Sequence, residues 1–398
     1  MKAYKYRLYP TKSQEELLAK HFGCSRFVYN LGLEMKNEHY QKEEKHLGWV
    51  DVVNRITKLK KEEETKWLKE VNSQSLQMSI RNLDAAFVGF FKKRAKFPRF
   101  KSRKNKQSFQ CPQHCNVDFK NGKFFLPKFR EGIKAIFHRE FKGETGTCTV
   151  SKTPTGKYFV SITVKDGKEE PKKETPEKEK CLGIDLGIKD YLVDSNGERV
   201  ENPRHLQKKL RKLRKEQRTL SRRKKGGNNR DKQRVKVARV HEKVTNTRND
   251  FLHKLTHELA EKQGYNCVAM ETLNIQGMMK NHRLARHIGD AAWGTFERFL
   301  EYKLNDRGKT LLKIGQFEPS SKLCECGHKN TDLKLSQREW ECSHCGTVND
   351  RDYLAARNIK RFAFIDKNLH SKLGQDMSEF TLGEIDVGRS LSQEAPML

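Results

Sequence analysis

Residues 2–8 alternate in polarity, with Tyr4, Tyr6 and Leu8 on one face, and predict a half-buried strand. Pro10-Thr11 then opens a helix, because Thr11 and Gln14 have the spacing of a capping box. Apolar residues at helical spacing continue to about residue 96. Leu17, Leu18 and Phe22 mark a first helix, Phe27, Val28 and Leu31 a second, and Leu83, Ala86, Phe87, Phe90 and Phe91 a later one stopping at Lys92-Lys93-Arg94. From Phe97 the period shortens. Strand candidates at 117–119, 123–126, 134–138, 147–151 and 157–165 have the pattern of a small β-barrel. With the first strand added, the simplest topology is a barrel built from 1–10 and 97–165 and interrupted by a helical module at 11–96.

Residues 166–180, DGKEEPKKETPEKEK, have no apolar anchor and read as a linker. Beyond it, Cys181 to Leu186 is a buried strand with Asp185 among apolar neighbours. Gly187 bends the chain, Tyr191 to Val193 return antiparallel, and residues 194–197 make a turn. Leu206, Leu210, Leu213 and Leu220 keep helical spacing, Gly226-Gly227-Asn228-Asn229 breaks it, and Val237, Val240, Val244, Phe251 and Leu255 resume it. A helical hairpin with an apolar seam is expected over 204–262. Tyr265 to Met270 is a second buried strand, ending on Glu271. Trp293, Phe296 and Phe299 or Leu300 mark a helix, and Leu311 to Ile314 a further strand. The fold class is therefore α+β and multidomain.

A chain of 398 residues can hold two or three cores. Its hydrophobic content of 35% and mean hydropathy of -0.90 leave no apolar run able to span a bilayer, and the N-terminus does not read as a signal peptide. The cytosol or nucleoid is the expected location. Lys and Arg number 82 against 51 Asp and Glu, a formal net charge of +31 that calls for a polyanionic partner. About half of this excess lies between Arg204 and Lys254, where 20 cations face four acids. No basic amphipathic helix with a strong apolar face favours a membrane surface, so nucleic acid is the expected partner. Candidate phosphate contacts are Lys208, Lys212, Arg222, Arg223, Arg230 and Arg234 in the hairpin. Arg99, Lys101 and Arg103 join them in FPRFKSRKNKQSF, where Phe97, Phe100 and Phe109 are interleaved with cations. A solvated basic face is the plainer reading of any one charge run.

Of ten cysteines, Cys24, Cys111, Cys115, Cys148, Cys181 and Cys267 are scattered, whereas Cys324, Cys326, Cys342 and Cys345 cluster. A reduced compartment with one metal knuckle fits this better than disulfides. Each Cys pair is followed by Gly, which permits the tight backbone around thiolates, although the first pair is C-x-C rather than C-x-x-C. Four thiolates would close a tetrahedral Zn²⁺ site, structural rather than catalytic; a redox pair is the alternative. Acids then stand on three separate elements: Asp185 in a strand, Glu271 at a strand end, and Asp350 or Asp352 at a helix start. Three converging carboxylates suit two Mg²⁺ or Mn²⁺ ions for phosphodiester hydrolysis, one activating water and the other stabilising the leaving oxygen.

GIDLGIKD, METLNIQGMMKN around Glu271, PSSKLCECGHKN to CSHCG, and DRDYLAARNI together resemble the RuvC-like nuclease of TnpB, the RNA-guided endonuclease of IS200/IS605-family transposons and a relative of Cas12 effectors. YKYRLYPTKSQEELL, FPRFKS and NTRNDFLHKL extend the resemblance over nearly the whole chain. It implies an RNase H-like (RuvC) nuclease core over 181–318 and 348–370, with an inserted zinc ribbon at 319–347 that binds target nucleic acid. A wedge-like barrel interrupted by a helical recognition module precedes the core. Asp185, Glu271 and Asp352 match the catalytic acids; Asp352 is preferred to Asp350 because it opens the D-x-N-A-A pattern, with Leu354 in place of Asn. The partners implied are a guide RNA from the transposon end and target double-stranded DNA beside a short adjacent motif, with a monomer on the RNA. The basic hairpin would then face the guide–target heteroduplex.

Other readings remain open. A nuclease-inactive, RNA-guided DNA-binding repressor would lack one of the three acids. A transposase, or an accessory transposition protein without guided cleavage, would need a Tyr nucleophile beside a His pair, and a Holliday-junction resolvase shares the acids but not the ribbon, barrel and helices. Residues 371–398 carry five acids with little apolar periodicity and read as a loosely ordered tail.

Overall fold

The computed structural model describes residues 1–372 except 105, 168, 170 and 335, with side chains to Ile365 in the last helix. The tail expected at 371–398 lies outside the described residues from 373 onward. The chain divides into two units, Met1–Glu169 with Lys224–Arg239, and Glu170–Arg223 with the chain from Val240 onward.

The alternating N-terminus forms β1 (Lys2–Tyr9), which buries Tyr6 and Leu8. The Thr11 side chain accepts from the Gln14 backbone and Gln14 answers onto the Thr11 backbone, starting α1 (Lys12–Glu43). The two helices expected over its length are one. Nothing between Phe22 and Phe27 breaks the helix, and Leu18, Phe22, Val28 and Leu33 stay on its buried face. Next come α2 (Trp49–Leu59), a 3-10 helix (Glu63–Glu70) and α3 (Ser73–Phe91). Six strands complete the first unit: β2 (Gln107–Cys111), β3 (Asn116–Asp118), β4 (Lys123–Leu126), β5 (Phe129–Ile136), β6 (Glu144–Lys152) and β7 (Tyr158–Lys165). They join β1 in one antiparallel sheet of order β2-β6-β7-β1-β5-β4-β3. The helices are thus inserted between the sheet's first two strands in sequence, while β1 lies inside the sheet between β7 and β5. Strand β2 begins inside the basic segment FPRFKSRKNKQSF, where Phe109, with Cys111 beyond it, turns inward and is buried.

The second unit is built on a mixed sheet. Strands β8 (Cys181–Leu186), β9 (Asp190–Asp194) and β10 (Arg199–Glu201) precede the helices α4 (His205–Arg222) and α5 (Asn228–Glu261), the latter belonging to this unit from Val240 onward. After them come β11 (Cys267–Glu271), the short α6 (Ile275–Met278) and α7 (Ala285–Ala291), α8 (Trp293–Asn305), β12 (Thr310–Ile314), a ribbon with β13 (Glu339–Glu341) and β14 (Val348–Asp350), and α9 (Arg351–Lys372). The sheet order is β10-β9-β8-β11-β12, with β8, β11 and β12 parallel. Apolar runs such as Cys181-Leu182-Gly183-Ile184 suit strands covered on both faces. Leu252, Phe296 and Leu300 pack with Leu182 and Ile184 in one core cluster, and Ile359 and Phe362 of α9 pack with Cys181 and Cys267 in another. Among the described residues no helix is long and apolar enough to cross a membrane.

Candidate metal centres and nucleic-acid surfaces

In the parallel pairing of β8 with β11, Ile184 is opposite Met270, so Asp185 and Glu271 are the next residues in register. Residues in register on neighbouring strands point to the same face, with the strands about 4.8 Å apart. The third acid arrives on α9. A Cβ at Gly183 would stand 2.1 Å from the Ala356 carbonyl oxygen and 2.9 Å from Lys360 Cβ, so glycine is what admits the helix this close to β8. Asp352 is one turn N-terminal to Ala356, and Asp185 lies two residues beyond Gly183 on the same strand face. The carboxylates therefore converge. Asp185 is half-buried and its carboxyl is pushed up to about 8, first by burial, then by the charges of Glu271 and Asp352, against partial relief from Arg351 and Arg338. Burial also raises Glu271, opposed by a hydrogen bond from the Ser320 hydroxyl.

The structure separates the two candidates for the third acid. Asp350 accepts the Tyr353 backbone N–H at 2.9 Å, capping α9, and pairs with Arg199 at 2.7 Å. Asp352 pairs instead with Arg338, whose guanidinium reaches both carboxylate oxygens at 3.0 and 3.1 Å. Ser320 and Arg338 escape a reading of the sequence alone. Ser320 is two residues beyond Glu318 in an unremarkable loop, and Arg338 is one cation among 82. Their only signal is proximity to the cysteine pairs. Ser320 is held in turn: buried Asn358 of α9 donates to the carbonyls of Ser320 and Leu323, at 2.7 and 2.6 Å. These are hard oxygen donors, two of which act on the charge of the third, and such a set fits divalent cations such as Mg²⁺.

The four clustered cysteines have their Sγ atoms within 4.8 Å of one another, with Cys324 to Cys345 at 3.7 Å and Cys326 to Cys342 at 3.6 Å. A disulfide would need about 2.05 Å. Four sulfurs about 2.3 Å from a tetrahedral Zn²⁺ would be about 3.8 Å apart, so the donor set fits zinc. Gly327 and Gly346 take φ of +90° and +70° just after each pair. The second knuckle closes through Cys342 N–H to the Thr347 carbonyl, five residues on, and the first through Cys324 N–H to the His328 carbonyl, four residues on. The C-x-C loop is one residue shorter and still delivers both sulfurs. Leu354, where the family pattern has Asn, is buried with Leu333, Trp340, Cys324 and Cys342 and fastens the ribbon to α9.

Arg99, Arg103, Lys208, Lys212, Arg222, Arg223 and Arg234 are exposed, and Arg230 is half-buried. Arg234 is paired with Asp231 at 3.0 Å. Lys101 is exposed as well; its ammonium lies 3.6 Å from the Tyr29 ring centroid, and its backbone exchanges hydrogen bonds with Asn30. Of the apolar positions marked by spacing over 204–262, Leu213, Val240, Val244 and Leu255 are buried.

Three family profiles match the chain: one described as a helix-turn-helix domain at residues 1–45, a probable transposase at 161–282, and a Cas12f1-like TNB domain at 293–359. In the structure residues 1–45 hold β1 and one unbroken helix rather than two helices joined by a turn. A protein of Streptomyces pristinaespiralis, provisionally named an RNA-guided DNA endonuclease, is 40% identical over 90% of this chain and 88% of its own length. InsQ of Escherichia coli K12, provisionally named likewise, is 32% identical over 90% and 91%. The structure of a Cas12f1–sgRNA–target DNA complex covers 88% of this chain and 83% of its own protein chain, with a TM-score of 0.56 at 17% identity, a likeness of fold. The identity to these relatives and its coverage establish that the chain belongs to the IS605 OrfB family, the TnpB proteins.

Proposed function

We propose that the chain is an RNA-guided DNA endonuclease that cuts target double-stranded DNA beside a short adjacent motif, in the cytosol or nucleoid of its host. The observation that carries this reading is the convergence of Asp185, Glu271 and Asp352 on one face of the mixed sheet, with Asp185 raised by burial and then by the charges of its two neighbours. The names of the relatives supply guide and target. In this reading residues 181–318 and 348–370 are the RNase H-like core, residues 1–10 and 97–165 the wedge, 11–96 the recognition module, and 319–347 the zinc-bound segment that meets target DNA.

Bound by these carboxylates, two Mg²⁺ ions would supply an activated water and neutralise the leaving oxygen. The chain's own residues fix the donors. Strand register aligns Asp185 and Glu271, Ser320 holds the Glu271 carboxylate, and the close approach permitted by Gly183 brings in Asp352. Cys324, Cys326, Cys342 and Cys345 would hold one structural Zn²⁺. The guide RNA comes from the transposon end, and one chain binds it.

The test is to co-express the chain with its flanking transposon-end DNA, sequence the RNA that co-purifies, and assay Mg²⁺-dependent cleavage of a matching plasmid beside Asp185→Ala. A discrete RNA with cleavage lost in the variant is expected. A bound RNA without cleavage by the wild type would replace this reading with a guided repressor, and absence of any defined RNA would remove the guide.

A further inference from the structure

At the end of α3 the chain folds back on itself. Lys93 takes φ of 56°, and the N–H groups of Arg94 and Ala95 both donate to the Gly89 carbonyl, at 2.9 and 3.1 Å. The return lays Phe97 edge-on against Phe87 and Phe90, with centroids 5.5 and 5.3 Å apart, while Phe91 stacks on Phe87 at 6.3 Å. Phe87 is the buried foot of this group. Phe91, Phe97 and Phe100 are 68%, 46% and 56% exposed, an unusual outlay of apolar ring surface in one short segment. The segment is also rigid at both ends. Its start is held by the rings, and beyond Phe100 the Lys101 backbone is clamped by Asn30 and the Lys101 ammonium lies on Tyr29.

Charge says what would cover these rings. No Asp or Glu occurs between Asp84 and Asp118, a stretch with nine Lys and Arg, and Asp84 is itself paired with the buried Lys36 at 3.1 Å. Lys92, Lys93, Arg94, Lys96 and Arg99 are all exposed in the same segment as the rings. Exposed aromatic faces among cations with no acids match a partner that offers flat apolar rings on an anionic chain. In a folded RNA, unpaired loop and bulge bases present such rings, whereas the bases of duplex DNA are stacked inside the helix.

We propose that this ledge is a stacking site for unpaired bases of the guide RNA, with Phe91, Phe97 and Phe100 as the platform and Lys93, Lys96 and Arg99 on the adjoining phosphates. The assignment rests on the guided reading above only in naming the RNA. Since both ends of the segment are fixed before binding, little ordering is required when the RNA docks.

The two kinds of contact leave different marks. With the full chain and the co-purifying RNA transcribed in vitro, Phe91→Ala should weaken binding by roughly 5- to 100-fold without changing its dependence on salt. Lys93→Ala with Lys96→Ala should instead flatten the slope of log K against log salt by about 1.4, roughly 0.7 per lost phosphate contact. Phe100→Ala serves as a second ring deletion, and circular dichroism of each variant confirms the fold. Binding within twofold of wild type for both ring variants would overturn the proposal. So would a loss confined to target-DNA capture, or to sedimentation with phosphatidylserine vesicles, with RNA affinity intact. Should no defined RNA co-purify, the guided reading fails by itself; an RNA that binds equally to wild type and ring variants sinks the ledge alone.

Discussion

The second unit carries two candidate metal centres that differ in almost every respect. The thiolate ribbon draws its four donors from 22 consecutive residues, Cys324 to Cys345, and its knuckles close through their own backbone hydrogen bonds. The carboxylate centre draws Asp185, Glu271 and Asp352 from two strands and a helix that meet only when the sheet is complete. Soft donors at matched spacing make a closed site whose role is to hold a fold. Hard donors that repel one another make an open site that is destabilising until a cation arrives. Folding thus secures one centre and leaves the other poised, and Asn358 ties them together by gripping the ribbon's entry loop from the helix that also bears Asp352.

The largest effect should come from breaking the local centre. Cys342→Ser removes one sulfur from a site where zinc would contribute on the order of 10 kcal/mol, as it does in comparable small domains. One zinc per chain in the wild type should fall to well under one, and limited proteolysis should open between residues 319 and 347. Far-UV circular dichroism of the remainder should change little, since the rest of the second unit has its own cores. Full zinc content in the variant would show that the sulfurs do not bind it.

The same contrast explains what could be read beforehand. The cysteine ribbon, the capping box at Thr11 and the hairpin break at Gly226-Gly227 are local signals, each complete within a few residues. Asp185 and Glu271 were legible because each ends or interrupts an apolar run. In the sequence Asp352 is separable from Asp350 only through family resemblance; that Asp352 is the one close enough to act on Asp185, while Asp350 caps α9, needs the fold. Ser320, Arg338 and Asn358 left no local trace because their roles exist only across elements distant in sequence. Charge alone names Lys101 as a candidate; that its ammonium also lies on an aromatic ring of α1 needs the fold. The merging of two expected helices into α1 has the same origin: apolar spacing marks faces, and only a breaker would have marked an end.

A smaller effect tests the tie between the centres. Ser320→Ala deletes the hydroxyl that holds Glu271 while leaving the zinc ligands and the Asn358 clamp, which uses the Ser320 backbone, in place. Outer hydrogen bonds of this kind are worth about 10- to 100-fold in metal affinity. The Mg²⁺ concentration for half-maximal cleavage should rise by that factor, and Mn²⁺ binding followed by electron paramagnetic resonance should weaken in parallel. Zinc content and thermal stability should stay near wild type. Weaker zinc retention would instead mean that Ser320 supports the ribbon, and the comparison between the two centres would lose its link.

The smallest effect concerns the strain of the open centre and has a defined sign. The Asp185 carboxyl sits at about 8 in the fold, against about 3.9 in an unfolded chain. Between these values the folded state holds a proton that the unfolded state has lost, so stability declines as pH rises from about 4 to 8 and stays low above that. Asp185→Asn removes the titration while keeping the shape. Without added Mg²⁺, and with zinc left in place, the variant should therefore melt higher than wild type, and its advantage should grow with pH. Burial argues for a large gain, but Asp185 is only half-buried and solvent screens it, so roughly 1–3 kcal/mol between pH 5.5 and 8.5 is the expected size. Adding Mg²⁺ should stabilise the wild type at pH 8.5 and leave the variant unmoved, closing the gap. A melting difference that stays flat with pH, or that Mg²⁺ fails to narrow, would mean that neither burial nor the charges of Glu271 and Asp352 burden Asp185. The carboxylates would then be as settled within the fold as the thiolates are.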